Sequence, residues 1–499
     1  MIFYGLMNSR RDFLKASAWA AGAAAIAPGY VTRPVECGFG GRGAPMQGFR
    51  CRPLETIRVA FAGMGGRGTS AMYRIAQIPG CRVVAICDLR QSRMDVCNGW
   101  LGRNGYPKAR EYVGPEAYKA MCDSPDVDVV YVAGSWQMHE MVGIYAVKAG
   151  KHTLVEVPSA MTLDGCWEFV ESAEKSRVHC MQLENCCYGE EELLALNLVR
   201  KGLLGDPVYA DCAYIHDLKH MSYSELEGEP GDSKRGYWQM WRLMWNSAHK
   251  GNQYPTHGLG PVCQYMNINR GDRLADLVSL ETDPRQNEMY AKAMFPADDW
   301  RAKLKVAMGD MNMTTVRTVK GRLIHIKHDV TTPGPYGRIN RIVGTLGLLQ
   351  GASSIGLPNP GFPFRVGWAG KVGEHVAYFP PEKAQKVRIE HRHPYFAAAS
   401  EIAKKIGGHG GMDFLMDLRW VYCLRNGLPL DMDVYDLAAW CSICELSERA
   451  VRERRVLEVP DFTRGGWRTA EPLGIVTVDM AKIGLDDKKI KTGTSQINV

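Results

Sequence analysis

The most specific chemical signal in the chain is a turn, Gly63-Met64-Gly65-Gly66-Arg67-Gly68, in the spacing G-x-G-x-x-G. It follows an apolar run of strand length and precedes residues with helical spacing. In that setting the first glycine makes a tight turn, the second lets a pyrophosphate approach the backbone, and the third lets helix and strand pack closely. The helix start then offers N–H groups and the positive end of its dipole to phosphates. Asp88 closes the next strand pattern, twenty residues after Gly68. A carboxylate there accepts hydrogen bonds from both ribose hydroxyls and repels a 2′-phosphate, so the expected dinucleotide is NAD rather than NADP. The plain alternative for Asp88 is a turn residue at a strand end.

A second group of residues suits work on a polar, ring-shaped ligand. Ala213-Tyr-Ile-His216, Trp241-Arg-Leu243, Tyr254-Pro-Thr-His-Gly258, Pro335-Tyr336 and Gly408-His-Gly-Gly-Met-Asp413 put aromatic and polar side chains in loops bearing glycine and proline. Rings stack on sugar faces and loops carry polar contacts. His257 is the candidate base for a hydroxyl proton, because its ordinary pKa lies near neutral. Tyr254 and Tyr336 are the other proton-handling candidates; a tyrosine would need a lowered pKa, and Arg242 is expected to supply part of that. Each cluster has a plain structural reading. Trp241 and Trp245 are spaced as a helix core, Tyr214 as a sheet residue with a satisfied hydroxyl, and a lone histidine is more often structural. Cys441-Ser-Ile-Cys444 is a lone Cys-x-x-Cys, short of the four ligands of a structural zinc site, so no metal is expected.

Elements in chain order position these residues. Strands are predicted at 57–62, 81–87, 127–133, 152–156 and 179–184, with helices over 69–78, 139–148 and 163–175. This alternation implies βαβ units and a doubly wound parallel sheet of Rossmann type. Trp136-Gln137-Met138-His139 and Glu156-Val157-Pro158 follow two of these strands, at the carboxyl ends where open α/β sheets bind ligands. Beyond about Asn185 a helix at 191–201 is followed by longer alternating strands. Residues 314–319 and 322–330 are expected to form a hairpin around a two-residue turn, Lys320-Gly321. The second half therefore reads as an α+β domain on a mostly antiparallel, open-faced sheet. The expected organisation is a leader over 1–27, a linker over 28–56, a nucleotide domain over 57–185 and a substrate domain with a C-terminal extension over 186–499.

Charge excludes one class of partner. The chain of 499 residues carries 61 Lys and Arg against 54 Asp and Glu, a net +7. Residues 1–52 hold +5 of this, so the body is close to neutral and no nucleic acid is expected. The leader has paired arginines, Ser9-Arg10-Arg11-Asp12-Phe13-Leu14-Lys15, then an alanine-rich run ending Ala25-Ile-Ala27. That resembles a twin-arginine signal, with an apolar run far shorter than a membrane span requires. Export and a periplasmic location follow as expectations, with no stable span. The 15 cysteines fall into no disulfide framework and are expected to be small buried hydrophobes.

Together the glycine turn, Asp88, Trp136-Gln-Met-His139, Ala149-Gly-Lys-His152 and Glu156-Val-Pro158 resemble the Gfo/Idh/MocA superfamily of sugar oxidoreductases. Within it, Leu183-Glu-Asn-Cys-Cys-Tyr188, Tyr254-Pro-Thr-His-Gly258, Asn269-Arg-Gly-Asp-Arg273, His328-Asp-Val330 and His409-Gly-Gly-Met-Asp-Phe414 look like glycoside hydrolase family 109. The resemblance, running from about Ile57 to Leu437, implies that Gly66, Arg67, Asp88, Trp136, Gln137, Met138, His139, Glu156, Val157 and Asn185 contact NAD. It implies that Tyr214, Arg242, Tyr254, Pro255, Thr256, His257 and Tyr336 surround the sugar; His409 joins them as a substrate candidate. Characterised family members are NAD-dependent α-N-acetylgalactosaminidases, so the implied substrate is a glycan ending in an α-linked N-acetylhexosamine. The family mechanism oxidises C3, removes the C2 proton, eliminates the C1 substituent, adds water and returns the hydride. The superfamily usually has lysine where this chain has Val157; that lysine moves the hydroxyl proton in a plain dehydrogenase. Two other readings remain, an NAD-dependent sugar dehydrogenase and a non-catalytic sugar-binding protein. Superfamily members often pair through the open sheet face, which makes a homodimer an expectation.

Overall fold

The structure, a computed structural model, describes residues 43–224, 236–351, 363–486 and 489–491. The leader expected at 1–27 lies outside them. Residues 43–56 belong to the stretch expected as a linker, yet they are folded onto the body. Met46 is buried, its N–H donates to the Tyr435 hydroxyl at 3.1 Å, and Arg177 donates to the Ala44 and Pro45 carbonyls. Glycine and proline content hid those anchors, which are made by residues far along the chain.

Six strands form the first sheet: β1 (Ile57–Ala62), β2 (Cys81–Asp88), β3 (Arg110–Val113), β4 (Val129–Val132), β5 (His152–Val155) and β6 (Cys180–Gln182). Their order is β3-β2-β1-β4-β5-β6 and every neighbouring pair is parallel. Val129, Val130, Tyr131 and Val132 are all buried, as a strand covered on both faces requires. The strand order reverses between β1 and β4, so their carboxyl ends open a crevice. Helix α1 (Gly66–Ile75) starts three residues before the expected Thr69, because the glycine turn itself supplies its first turn. Helix α2 (Trp136–Lys148) likewise starts at Trp136, so 136–139 is a helical first turn at the end of β4, where a loop was expected.

The second sheet contains β7 (Pro207–Ile215), β8 (Leu274–Glu281), β9 (Asn312–Thr318), β10 (Leu323–Asp329), β11 (Arg341–Gly344), β12 (Gly347–Gln350), β13 (Arg365–Trp368) and β14 (Leu457–Glu458). The order is β13-β12-β11-β7-β10-β9-β8-β14; β7 and β10 run parallel and the other described pairs antiparallel. β9 alternates buried and outward residues along its length, the pattern of a half-covered sheet. On the open face Leu280 is 74% exposed, and Val278 and Met313 are exposed with it. The β9–β10 connection corrects the expected two-residue turn. Thr318 N–H donates to Arg322 O, and Gly321 N–H to Thr318 O, which leaves a three-residue loop, Val319-Lys320-Gly321. Gly321 takes φ +79°, the left-handed position that such loops reserve for glycine.

Helices α3 (Thr256–Tyr265), α4 (Met412–Asn426) and α5 (Val434–Glu453) join the two sheets. α3 lies directly on β7: a Cβ at Gly258 would stand 2.6 Å from Ala213 N, so only glycine allows the approach. α4 returns to the nucleotide sheet, where Arg74 Nε of α1 donates to Asp417 Oδ2 at 2.7 Å with both side chains fully buried. Breaking such a pair from one side costs about 3–5 kcal/mol, so α4 is fixed against α1. The fourteen described cysteines are all free, and twelve are buried. Among the described residues no helix is long and apolar enough to cross a membrane.

Candidate active site

The crevice at the switch point is a cavity of about 510 Å³. Gly63, Gly65, Gly66, Arg67, Asp88 and Met138 line it, as expected of a nucleotide cleft. The glycines divide the work as their spacing implied. Gly63 has φ +88°, and a Cβ at Gly68 would strike Gly63 O at 1.9 Å, so these two fix the turn against its helix. A Cβ at Gly65 or Gly66 would meet nothing within 4 Å, so open space remains above the turn for a pyrophosphate. Asp88 accepts from Met64 N–H at 2.7 Å and Arg90 N–H at 3.1 Å, which holds its carboxylate at the rim for a ribose. The residues present fit NAD.

The other cofactor candidates occupy different places. Trp136 is buried in an aromatic cluster with Trp241, Trp245 and Tyr254, outside the lining of this cavity. Gln137 is exposed, while His139 is buried with Nδ1 at 2.8 Å from Pro158 O. Burial also lowers the pKa of His139, leaving the ring neutral. Val157 is buried. Glu156 accepts from Arg67 Nε at 2.6 Å and from the Tyr131 hydroxyl at 2.6 Å. Asn185 Nδ2 donates to Asp413 Oδ1 at 2.5 Å.

Asp413, named in the sequence only as part of its motif, was given no site role. Standing at the start of α4, its Oδ2 accepts from Arg67 Nη1 at 2.6 Å and lies 2.9 Å from His409 Nδ1. Burial works against its charge, but Arg67, His409 and Arg74 outweigh it and hold the carboxyl well below its ordinary value. His409, expected beside the substrate, stands instead in the nucleotide cavity. The glycine-rich run Gly407-Gly408-His409-Gly410-Gly411 carries it back over the turn through five consecutive positive φ angles.

The expected sugar residues do converge. Tyr214 on β7 has ring-centroid distances of 4.6 Å to Tyr254, 5.4 Å to His257 and 6.1 Å to Tyr336. Tyr254 and His257 meet edge to face at 4.9 Å. Pro255 and Thr256 are buried and form the start of α3 that aims His257. Arg242 lies over the rings of Trp136, Tyr254, Tyr237 and Tyr214 at 5.0 to 5.9 Å. It donates from Nη1 to the Tyr237 hydroxyl at 2.9 Å, while among the described residues buried Nε and Nη2 have no hydrogen-bond partner.

Arg242 pulls the Tyr214 and Tyr254 hydroxyls down as expected, but burial outweighs it. Burial pushes the hydroxyl pKa values of Tyr214, Tyr254 and Tyr336 up, and nearby arginine charge does not reverse it. These tyrosines are therefore protonated and able to donate. His216, overlooked as a site residue, has Nδ1 3.2 Å from the Tyr214 hydroxyl. Burial, reinforced by Arg242, lowers it to about 4, so it is a neutral imidazole at pH 7.

His257 has a second unforeseen partner. Glu184, fully buried after β6, places Oε1 2.8 Å and Oε2 3.1 Å from His257 Nδ1. Glu184, Cys186 and His257 are close enough to suggest metal ligands, but the Glu184 carboxylate and the His257 ring are bonded to each other. Burial also pushes the Cys186 thiol well above its ordinary value, away from the ligating thiolate.

Comparison with known proteins agrees with this division. The family model for an oxidoreductase with an NAD-binding Rossmann fold matches residues 57–183, and that for the C-terminal domain of glycosyl hydrolase 109 matches 188–469. A protein of Bacteroides fragilis described as alpha-N-acetylgalactosaminidase is 41% identical over 83% of this chain and 94% of its own. A glycosyl hydrolase family 109 protein of Shewanella baltica is 39% identical over 94% and 98%. Among solved structures, a levoglucosan dehydrogenase with NADH and levoglucosan superposes with a TM-score of 0.59 at 16% identity, covering 81% of this chain and all of that one. An oxidoreductase domain protein from Kribbella flavida gives 0.60 at 16% identity, over 82% and 100%. The structural likeness establishes the fold; the matched halves and the near-complete overlap with its relatives make this chain a member of glycoside hydrolase family 109.

Proposed function

We propose that the protein hydrolyses α-N-acetylgalactosaminides by a cycle that oxidises the sugar at C3 and later reduces it again, leaving NAD as it began. The carrying observation is the convergence of His257 with Tyr214 and Tyr254, in a chain that has Val157 where the superfamily usually has its proton-moving lysine. The name of the 41%-identical relative supplies the sugar class. Bound NAD supplies a hydride acceptor that becomes the hydride donor later in the same cycle.

The chain's own groups handle protons and position. His257 Nε2 takes the C3 hydroxyl proton, since Nδ1 is engaged by Glu184. The resulting ketone acidifies C2–H, and the C1 substituent then leaves. Tyr254 and Tyr336, held protonated by burial, act as donors to sugar oxygens. The neutral His216, bonded to Tyr214, forms the pair favoured to accept the C2 proton. The two unpartnered nitrogens of Arg242 bind sugar oxygens, because buried donors gain most from a new acceptor.

A nitrophenyl α-N-acetylgalactosaminide supplied without added cofactor tests this reading. Phenol release with no net NADH supports it. NADH accumulation from free sugar supports the dehydrogenase instead, and neither signal supports simple binding. Two further parts of the proposal concern the intact protein. Export rests on Ser9-Arg10-Arg11 and the alanine run, and loss of the periplasmic pool on replacing both arginines by lysine is its test. A homodimer through the open sheet rests on exposed Leu280, Val278 and Met313; a monomeric mass in light scattering counts against it.

A further inference from the structure

We propose that Glu184 is a positioning residue for the proposed reaction, fixing which nitrogen of His257 faces the sugar. This inference rests on the glycosidase reading. Glu184 is fully buried, and its carboxylate receives the Cys186 N–H at 3.0 Å besides His257. Burial works against its charge, but the His257 interaction and the backbone bond keep its pKa below the ordinary value. An ionised carboxylate can only accept, so His257 Nδ1 must carry a proton. The lone pair of the neutral ring is then on Nε2. The ring centroid stands 4.9 Å from that of Tyr254 and 5.4 Å from that of Tyr214, and 13% of the side chain is exposed.

The oxidation step balances on this arrangement. With NAD bound as hydride acceptor, the C3 hydroxyl proton would pass to His257 Nε2 as C3 gave up its hydride, so that the carbinol would become a ketone. The imidazolium formed at His257 is held beside a carboxylate that never leaves its place. Glutamate to glutamine keeps the shape but offers an N–H that turns the ring to the other tautomer, which is why the amide is disruptive where the acid is not.

Purified Glu184→Gln with its resident NAD is compared with wild type on the nitrophenyl substrate. The expected result is a fall in kcat of about 100-fold or more with KM within about threefold, unchanged NAD per chain, and loss of the 340 nm transient. In a His257→Ala background the same substitution is expected to add no further loss, whereas a purely structural role would lower both backgrounds alike. Wild-type kcat in Glu184→Gln overturns the proposal. A nitrogen-15 spectrum of histidine-labelled wild type, with His257 assigned by its absence in His257→Gln, decides independently of folding in the Glu184 variant. A proton on Nδ1 supports the dyad and a proton on Nε2 overturns it. Should wild type release no phenol, the glycosidase reading fails while this spectrum still decides the dyad.

Discussion

Two arginines near the site are treated in opposite ways. Arg67 is charge-balanced: Glu156 and Asp413 each accept from it at 2.6 Å, and His409 lies 3.4 Å from Nη1. Arg242 is buried deeper and is surrounded by ring faces, with one hydroxyl partner and two unpartnered nitrogens. A saturated cation holds structure, because its carboxylates are already satisfied. An unsaturated buried cation carries a free-energy deficit that a ligand oxygen can relieve. Arg67 is thus satisfied before anything binds, whereas Arg242 keeps donors that a ligand can complete.

The sharpest way to break that contrast is Arg242→Met. It is expected to lower kcat/KM by about 1,000-fold, or ~4 kcal/mol of transition-state binding, while NAD per chain stays constant. A loss of less than tenfold would place Arg242 with the ordinary packing residues. Next in size is Asp413→Asn, which leaves Arg67 and His409 short of a carboxylate. Unfolding measurements are expected to show a loss of about 3 kcal/mol, accompanied by shedding of NAD on gel filtration. Unchanged stability and full NAD retention would show that Asp413 does not hold Arg67 and His409 in place.

The same carboxylate sets an acid limit. Its folded-state pKa is lowered, so its pairing stabilises the protein fully above the ordinary carboxylate value near ~4 and is lost as pH falls below it. The acid limb of a stability–pH curve is expected to be shallower in Asp413→Asn than in wild type; parallel limbs would contradict the assignment. His216→Gln is the mildest change. It is expected to slow C2 proton exchange about tenfold with the 340 nm transient preserved, since C3 oxidation does not use His216. Loss of both signals would move His216 to the first step.

What could be read from the sequence follows the same division. The glycine turn, Asp88 and the first sheet are local: each depends on neighbours a few residues away, so spacing alone carries the meaning. Tyr214, Arg242, Tyr254, His257 and Tyr336 were collected by family likeness and do converge, though nothing in their spacing says that β7 and α3 bring them together. Asp413 and Glu184 stood in quoted motifs but without roles, because their partners are 346 and 73 residues away and spacing does not reveal a distant cation. His409 was placed with the sugar because its glycine-rich run resembles a substrate loop; consecutive left-handed turns carry it to the cofactor side. The tyrosine roles were misjudged for another reason: burial, which spacing does not reveal, outweighs a nearby positive charge.

The central claim is that glycoside cleavage passes through a ketone at C3 and loss of the C2 proton. Hydrolysis of a nitrophenyl α-N-acetylgalactosaminide in D₂O, followed by mass and proton spectra of the released sugar, tests it directly. One deuterium at C2 per turnover with no net NADH is the expected result. Full release of phenol with C2 still carrying its original hydrogen would contradict it and assign the cleavage to direct displacement.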